Sequence, residues 1–230
     1  MSDQDLIKFK YSFIFADGRT IDFSISLDAH NLNYVADDND VPAEWAKLEN
    51  GQCPNCTLHS AKIDYCPVCL RIHNILNAFL NTASYEKVKV IVQAAERVYS
   101  SDTTIQKGLS SMLGIYMVTC GCPILSQIKP MVRYHLPFAS LEDTIYRAAS
   151  SYLLRQYFLH IKGEEADWNL KGLVDIYRQI QTVNIGLMER FRALAKKDAS
   201  VNAMVLLDIF AKELPYSIEE SLKELEYLFS

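Results

Sequence analysis

Apolar and polar residues alternate from Ile7 to Phe15, with Ile7, Phe9, Tyr11, Phe13 and Phe15 on one side and Lys8, Lys10 and Ser12 on the other. A period of two predicts a half-buried strand. Ile21, Phe23, Ile25 and Leu27 repeat it, and Ala16-Asp17-Gly18-Arg19 lies between the runs. Asp-Gly takes the positive backbone angles of a tight turn, so the two runs predict a β-hairpin. Periodicity is then lost over residues 28 to 51, where Asp28, Asp37, Asp38, Asp40, Glu44 and Glu49 gather. This stretch reads as a loop-rich connector with at most one short helix after Pro42.

Helical spacing appears next, at Leu70, Ile72, Ile75, Leu76, Phe79 and Leu80. The β-branched run Val88, Val90, Ile91 and Val92 predicts a buried strand that joins the hairpin's sheet. Ser101 or Asp102 offers a cap for a helix with the stripe Ile105, Leu109, Met112, Leu113 and Tyr116. Ser140-Leu141-Glu142-Asp143 opens another, running to about Ile161 with Ile145, Ala148, Ala149, Tyr152 and Leu153 inward and Gly163 at its end. Tyr146, Tyr152, Tyr157 and Phe158 are expected to pack a core. A long helix covers roughly Asn169 to Lys197, and a shorter one runs from Val201 to Phe210. The last starts at the capping box Ser217-Ile218-Glu219-Glu220 and buries Leu222, Leu225 and Phe229. Strands first and helices afterwards give an α+β class. The expected architecture is a small antiparallel sheet with an inserted cysteine zinc knuckle, followed by a mainly α-helical bundle. Residues 1–100 carry the hairpin, knuckle, helix and strand, and residues 101–230 form a helical region packed on them.

Half of the 230 residues are apolar, enough for a sizeable core. A net charge of -5 argues against binding through phosphate neutralisation, so nucleic acid ranks last among partners. The start Met1-Ser2-Asp3-Gln4-Asp5 lacks a basic, apolar secretion signal, and no apolar run is long enough to span a membrane. These features predict a soluble cytoplasmic chain.

The strongest chemical signal is the double pair Cys53-Pro54-Asn55-Cys56 and Cys66-Pro67-Val68-Cys69. Four thiolates at that spacing enclose one tetrahedral zinc ion in a closed, structural site. Such a site would fasten the irregular connector to the domain, since metal binding counts toward folding. His59 or His73 offers an imidazole if one cysteine is not a ligand. An iron–sulfur cluster ranks below zinc, as do buried free thiols and a redox dithiol, the last for want of a βαβ context.

A second constellation joins Cys120-Gly121-Cys122-Pro123 to the segment around Arg133 and His135 before the Ser140 cap. Pro123 heading a helix would put Cys122 near its N-terminus, where a thiol's pKa falls. Cys120 or Cys122 with His135 then forms a nucleophile and base, or a second metal site, with Glu142 or Arg133 as neighbour. The plainer reading makes Cys120 a small apolar residue, Gly121 a left-handed cap and His135 a hydrogen-bonded packing residue. Asn184 and Asn202, set among apolar residues, suggest interhelical hydrogen bonds.

Cys53-Pro54-Asn55-Cys56, Cys66-Pro67, Gly121-Cys122-Pro123, Pro130-Met131 and His135-Leu136-Pro137-Phe138-Ala139-Ser140 together resemble a bacterial family classed as a domain of unknown function. The likeness extends through Tyr152-Leu153-Leu154, Gln156-Tyr157-Phe158 and residues 198–203. It implies a bacterial cytoplasmic protein and brings no activity, substrate or partner. The expected function is therefore that of a zinc-stabilised protein binding another protein or a small effector. The alternative is a metal- or thiol-dependent enzyme around Cys120, Cys122 and His135.

Overall fold

The computed structural model describes residues 5–36, 43–192, 202, 205, 207–209, 211–213, 215 and 222–229. Asp37, Asp38, Asp40, Pro42, the predicted helix end at Leu194 to Lys197, most of the Val201–Phe210 run and the Ser217 capping box lie outside them.

Strands β1 (Leu6–Phe15) and β2 (Thr20–Asp28) form the expected hairpin, with Tyr11 opposite Phe23 and Phe13 opposite Ile21. Gly18 takes φ +87° in the turn, and the Phe15 and Gly18 amides donate to the carbonyls of Arg19 and Phe15. A short 3₁₀ turn at Glu44–Ala46 and helix α1 (Pro67–Ala78) follow. Strand β3 (Lys87–Gln93) pairs antiparallel with β1, as its β-branched run predicts.

Strand β4 (Val98–Thr104) pairs antiparallel with β3, giving the order β2-β1-β3-β4. Ser101 and Asp102 therefore cap no helix. Both are in register with β3, opposite Val90 and Lys89. Ladder hydrogen bonds override the local capping preference of these residues. Helix α2 (Ile105–Thr119) begins one turn later, with Thr104 at its N-cap.

The α2 stripe lies on the sheet's apolar face. Ile105, Leu109, Met112 and Leu113 are fully buried. A Cβ at Gly108 would stand 2.7 Å from Phe13 Cε1 and 2.9 Å from Val90 Cγ2, so only glycine permits this close approach. On the other side of the core, Phe79 just after α1 meets Phe13 edge-on, with ring centroids 5.1 Å apart. Helix α2 ends at Cys120 and at Gly121, which takes φ +102°.

A strap then crosses the helices. It comprises a 3₁₀ turn at Leu125–Ile128 and the one-turn helix α3 (Pro130–Arg133). Helix α4 (Leu141–Ile161) opens on the Ser140 capping box with Asp143 and stops before Gly163 at φ +77°. Helix α5 (Lys171–Arg192) buries Leu173, Tyr177, Ile180, Leu187 and Phe191. One hydrophobic cluster takes in residues from β1 through α5.

Two expected core groups are corrected. Tyr146, Tyr157 and Phe158 are about half exposed, because Leu154, Tyr157, Phe158 and Ile161 form a stripe on the side of α4 away from buried Ile145 and Ala149. Residues Leu222–Phe229 form a 3₁₀ segment, and Phe229 is 78 % exposed rather than buried.

Candidate ligand cavity and cysteine cluster

The cysteine loop is closed at its base by a short antiparallel bridge. Lys47 pairs with Tyr65, the Leu48 amide donates to Asp64 O at 2.8 Å, and the Cys66 amide donates to Ala46 O at 2.8 Å. This bridge brings the Cys53 and Cys56 turn back beside the start of α1. Cys66 is the N-cap of α1 and Pro67 its first residue, the position where a missing N–H costs nothing.

Arg190 of α5, buried at 8 % exposure, lashes the loop down from the other side. Its guanidinium donates to the carbonyls of Gly51 (2.8 Å), Leu48 (3.1 Å) and Lys47 (3.4 Å) and to Cys69 Sγ (3.3 Å). Asn55 Nδ2 donates to Gln179 O at 3.0 Å, docking the Cys53 turn on the same helix. A Cβ at Gly186 would lie 3.0 Å from Cys53 Sγ, so α5 is notched to admit that sulfur.

All six cysteines are free thiols. Cys53, Cys56 and Cys66 border one small apolar cavity of about 20 Å³, and the fourth cysteine on its wall is Cys122. Cys69 is fully buried on α1 and turned toward Arg190. A hydrogen bond from the Cys69 thiol, backbone N–H groups of Cys69 and Val68 and nearby Arg190 hold the Cys66 pKa down to about 6. Burial pushes Cys53 up to about 11 and raises Cys122 and Cys120. Among the described residues, no group of three or more His, Cys, Asp or Glu is arranged to hold a metal ion as it stands.

The second constellation is dispersed. Cys120 ends α2 with its thiol 3.4 Å from Met117 O, and Cys122 faces the small cavity. His135 lines a different, far larger one, while Glu142 is exposed on α4 with Tyr227 Oη 3.4 Å from its carboxylate. Arg133 is exposed. His59 is exposed, and His73 accepts from Trp45 Nε1 at 2.9 Å through Nδ1 and bonds Asn77 Nδ2 at 2.9 Å.

The larger cavity measures about 640 Å³ and opens between α2, the strap, α4 and α5. Met117, Val118, Leu125, Val132 and Ile180 give it an apolar wall. Its polar lining includes Asp102, Lys107, His135, Arg147, Tyr177 and Asn184. His135 Nε2 shares a 2.6 Å hydrogen bond with Tyr11 Oη, which also meets Ser111 Oγ at 2.9 Å. Burial of the imidazole and then nearby Arg147 lower the His135 pKa to about 3, and the ring is neutral.

Arg147 donates to the carbonyls of Met131 (2.7 Å) and Tyr134 (3.1 Å). It also lines the cavity, as does buried Tyr177, whose hydroxyl meets Met131 Sδ at 3.7 Å. Asn184, 1 % exposed, completes the set with a buried Oδ1 that has no hydrogen-bond partner.

A family profile described as Domain of unknown function (DUF6901) matches residues 9–230. The chain belongs to this family. The DUF6901 span takes in every cysteine and the entire described lining of the large cavity. No curated protein and no solved structure matches the chain. Within DUF6901 the site also uses residues that the sequence reading passed over: Tyr11, Arg147 as a cavity residue, Gly186 and Arg190. Tyr11 and His135 are 124 positions apart, and nothing in the local pattern of either points to the other.

Proposed function

We propose that this DUF6901 chain is a zinc-stabilised effector-binding protein of the bacterial cytoplasm. Its ligand is a small molecule with an apolar body and an anionic head, seated in the cavity between α2 and α5. What carries the reading is the cavity itself: about 640 Å³, apolar-walled, with Arg147 and Lys107 among its lining residues. Small-molecule sites fall between about 300 and 1,000 Å³ and pair such walls with a few polar anchors.

Arg147, with Lys107 on the same lining, supplies the positive charge for a carboxylate or similar head. Catalysis is less well supported. The thiols of Cys120 and Cys122 are raised by burial, and His135 is a neutral partner of Tyr11 rather than a base beside either sulfur. The zinc part rests on free cysteines gathered around one pocket, beside the thiolate-favouring turn of Cys66.

The test uses anilinonaphthalene sulfonate, an apolar anion, as a fluorescent probe of the folded chain. One saturable site is expected, weakened about tenfold in Arg147→Met, since a charge-assisted hydrogen bond contributes on the order of 1.5 kcal/mol or more. Gly114→Leu places a side chain in the same cavity and should weaken the probe's binding. Linear, unsaturable binding, or equal affinity in all three proteins, overturns the proposal.

A further inference from the structure

Three observations single out one set of sulfurs. The first is enclosure. Cys53, Cys56, Cys66 and Cys122 border the same cavity of about 20 Å³. That is close to the volume of a single water-sized sphere, and so of one bound ion. Two of these cysteines come from the loop, one from the start of α1 and one from the strap 122–135.

The second is local chemistry. Cys66 and Cys122 are built alike: each precedes a proline, and each receives backbone N–H groups from the residues two and three positions on. Val68 and Cys69 donate to Cys66, and Ile124 and Leu125 donate to Cys122. Converging amides of this kind stabilise negative charge on sulfur. Cys-Pro turns with amides aimed at the sulfur therefore border this one cavity twice.

The third is the position of Cys69. Its sulfur is engaged by Arg190 Nη1 at 3.3 Å, and its thiol donates to Cys66. It stands behind a ligand rather than on the cavity wall. Arg190 has no described carboxylate partner, and a buried cation is costly without a counter-charge. Thiolates beside it supply one.

We infer that Cys53, Cys56, Cys66 and Cys122 are the four ligands of a zinc-class ion, with Cys69 a hydrogen-bond donor supporting Cys66. The inference rests on the zinc part of the proposed function and is independent of the effector. It moves the fourth ligand from α1 to the strap and joins the two cysteine constellations of the sequence into one site. Cys53 Sγ lies 4.0 Å from Val183 O. Closing the tetrahedron requires the sulfurs to turn inward, each by rotation about its single side-chain torsion, χ1. Soft thiolates select zinc over magnesium or calcium, and the outer donors Cys69 and Arg190 orient and tune the inner set.

The experiment measures metal content of the untagged full chain, and the thiolate-to-metal charge-transfer band after exchange with Co²⁺, for wild type and single variants. Wild type should carry about one equivalent of zinc. Cys69→Ser and Cys120→Ser should keep it with an undiminished cobalt band. Cys122→Ser should lose it. Cys122→His, which restores four ligands, should regain one equivalent with the cobalt band lowered by about a quarter, as three thiolates replace four.

Metal retained in Cys122→Ser and lost in Cys69→Ser overturns the ligand set while leaving the zinc reading intact. Wild-type protein purified without metal and showing no cobalt band sinks the zinc reading and the ligand set together, and leaves the effector proposal untouched.

Discussion

His135 should make this protein acid-labile in a defined window. Its ring is held neutral by burial and then by Arg147, with the pKa lowered from 6.5 to about 3. The folded value lies below the unfolded one, so the unfolded chain takes up the proton first. The stability contribution is complete above about 6.5 and is lost as pH falls toward about 3. Full separation of the two values costs about 1.4 kcal/mol per pH unit. Integrated from about pH 7 to pH 5, this gives about 2 kcal/mol. Urea unfolding of wild type and His135→Gln at both pH values isolates the contribution. Glutamine keeps a hydrogen-bonding group near Tyr11 and does not titrate, and the other acids cancel in the difference. Wild type should lose about 2 kcal/mol more than the variant on acidification. Equal losses in the two proteins would refute the argument that this ring is buried uncharged.

Two glycines of α2 give opposite expectations for the same change. Gly108→Ala should destabilise by about 1–3 kcal/mol, since the new methyl collides with Phe13 and Val90. Gly114→Ala should stabilise by up to about 1 kcal/mol, because its methyl meets only Leu207 Cδ2 at 3.9 Å and alanine favours a helix. Chemical denaturation measures both, and a shared sign would show that α2 does not press on the sheet as described. Arg190→Met should cost about 2 kcal/mol by leaving the buried Leu48 carbonyl and the part-buried Lys47 and Gly51 carbonyls without their donor. A loss below about 0.5 kcal/mol in the same assay would mean that water replaces the guanidinium freely.

Periodicity revealed the elements that bury one face. The β1–β2 hairpin with its Asp17-Gly18 turn, the buried β3, the α2 stripe and the Ser140 cap of α4 all satisfy local and tertiary demands at once. Strand β4 was hidden because Ser100, Ser101, Asp102, Thr103 and Thr104 carry no apolar alternation. Its conformation is imposed by the backbone of β3. Spacing grouped Cys69 with Cys53, Cys56 and Cys66, whereas the wall of the small cavity holds those last three and distant Cys122. Helical geometry points Cys69 at Arg190 instead. The larger cavity was illegible for a similar reason. Its anchors His135, Arg147 and Asn184 come from three separate elements, and each has an ordinary packing role in its own local sequence.

The hydroxyl-rich composition that concealed β4 has a bearing on solubility. As the terminal strand of the sheet, β4 offers a row of amides and carbonyls to any passing extended chain. Serines, threonines and a central aspartate make that row a poor template, because an incoming copy would gain little dry contact and would bring its own carboxylate into the seam. Polymerisation through this border is thereby discouraged even when the rest of the chain is loosened.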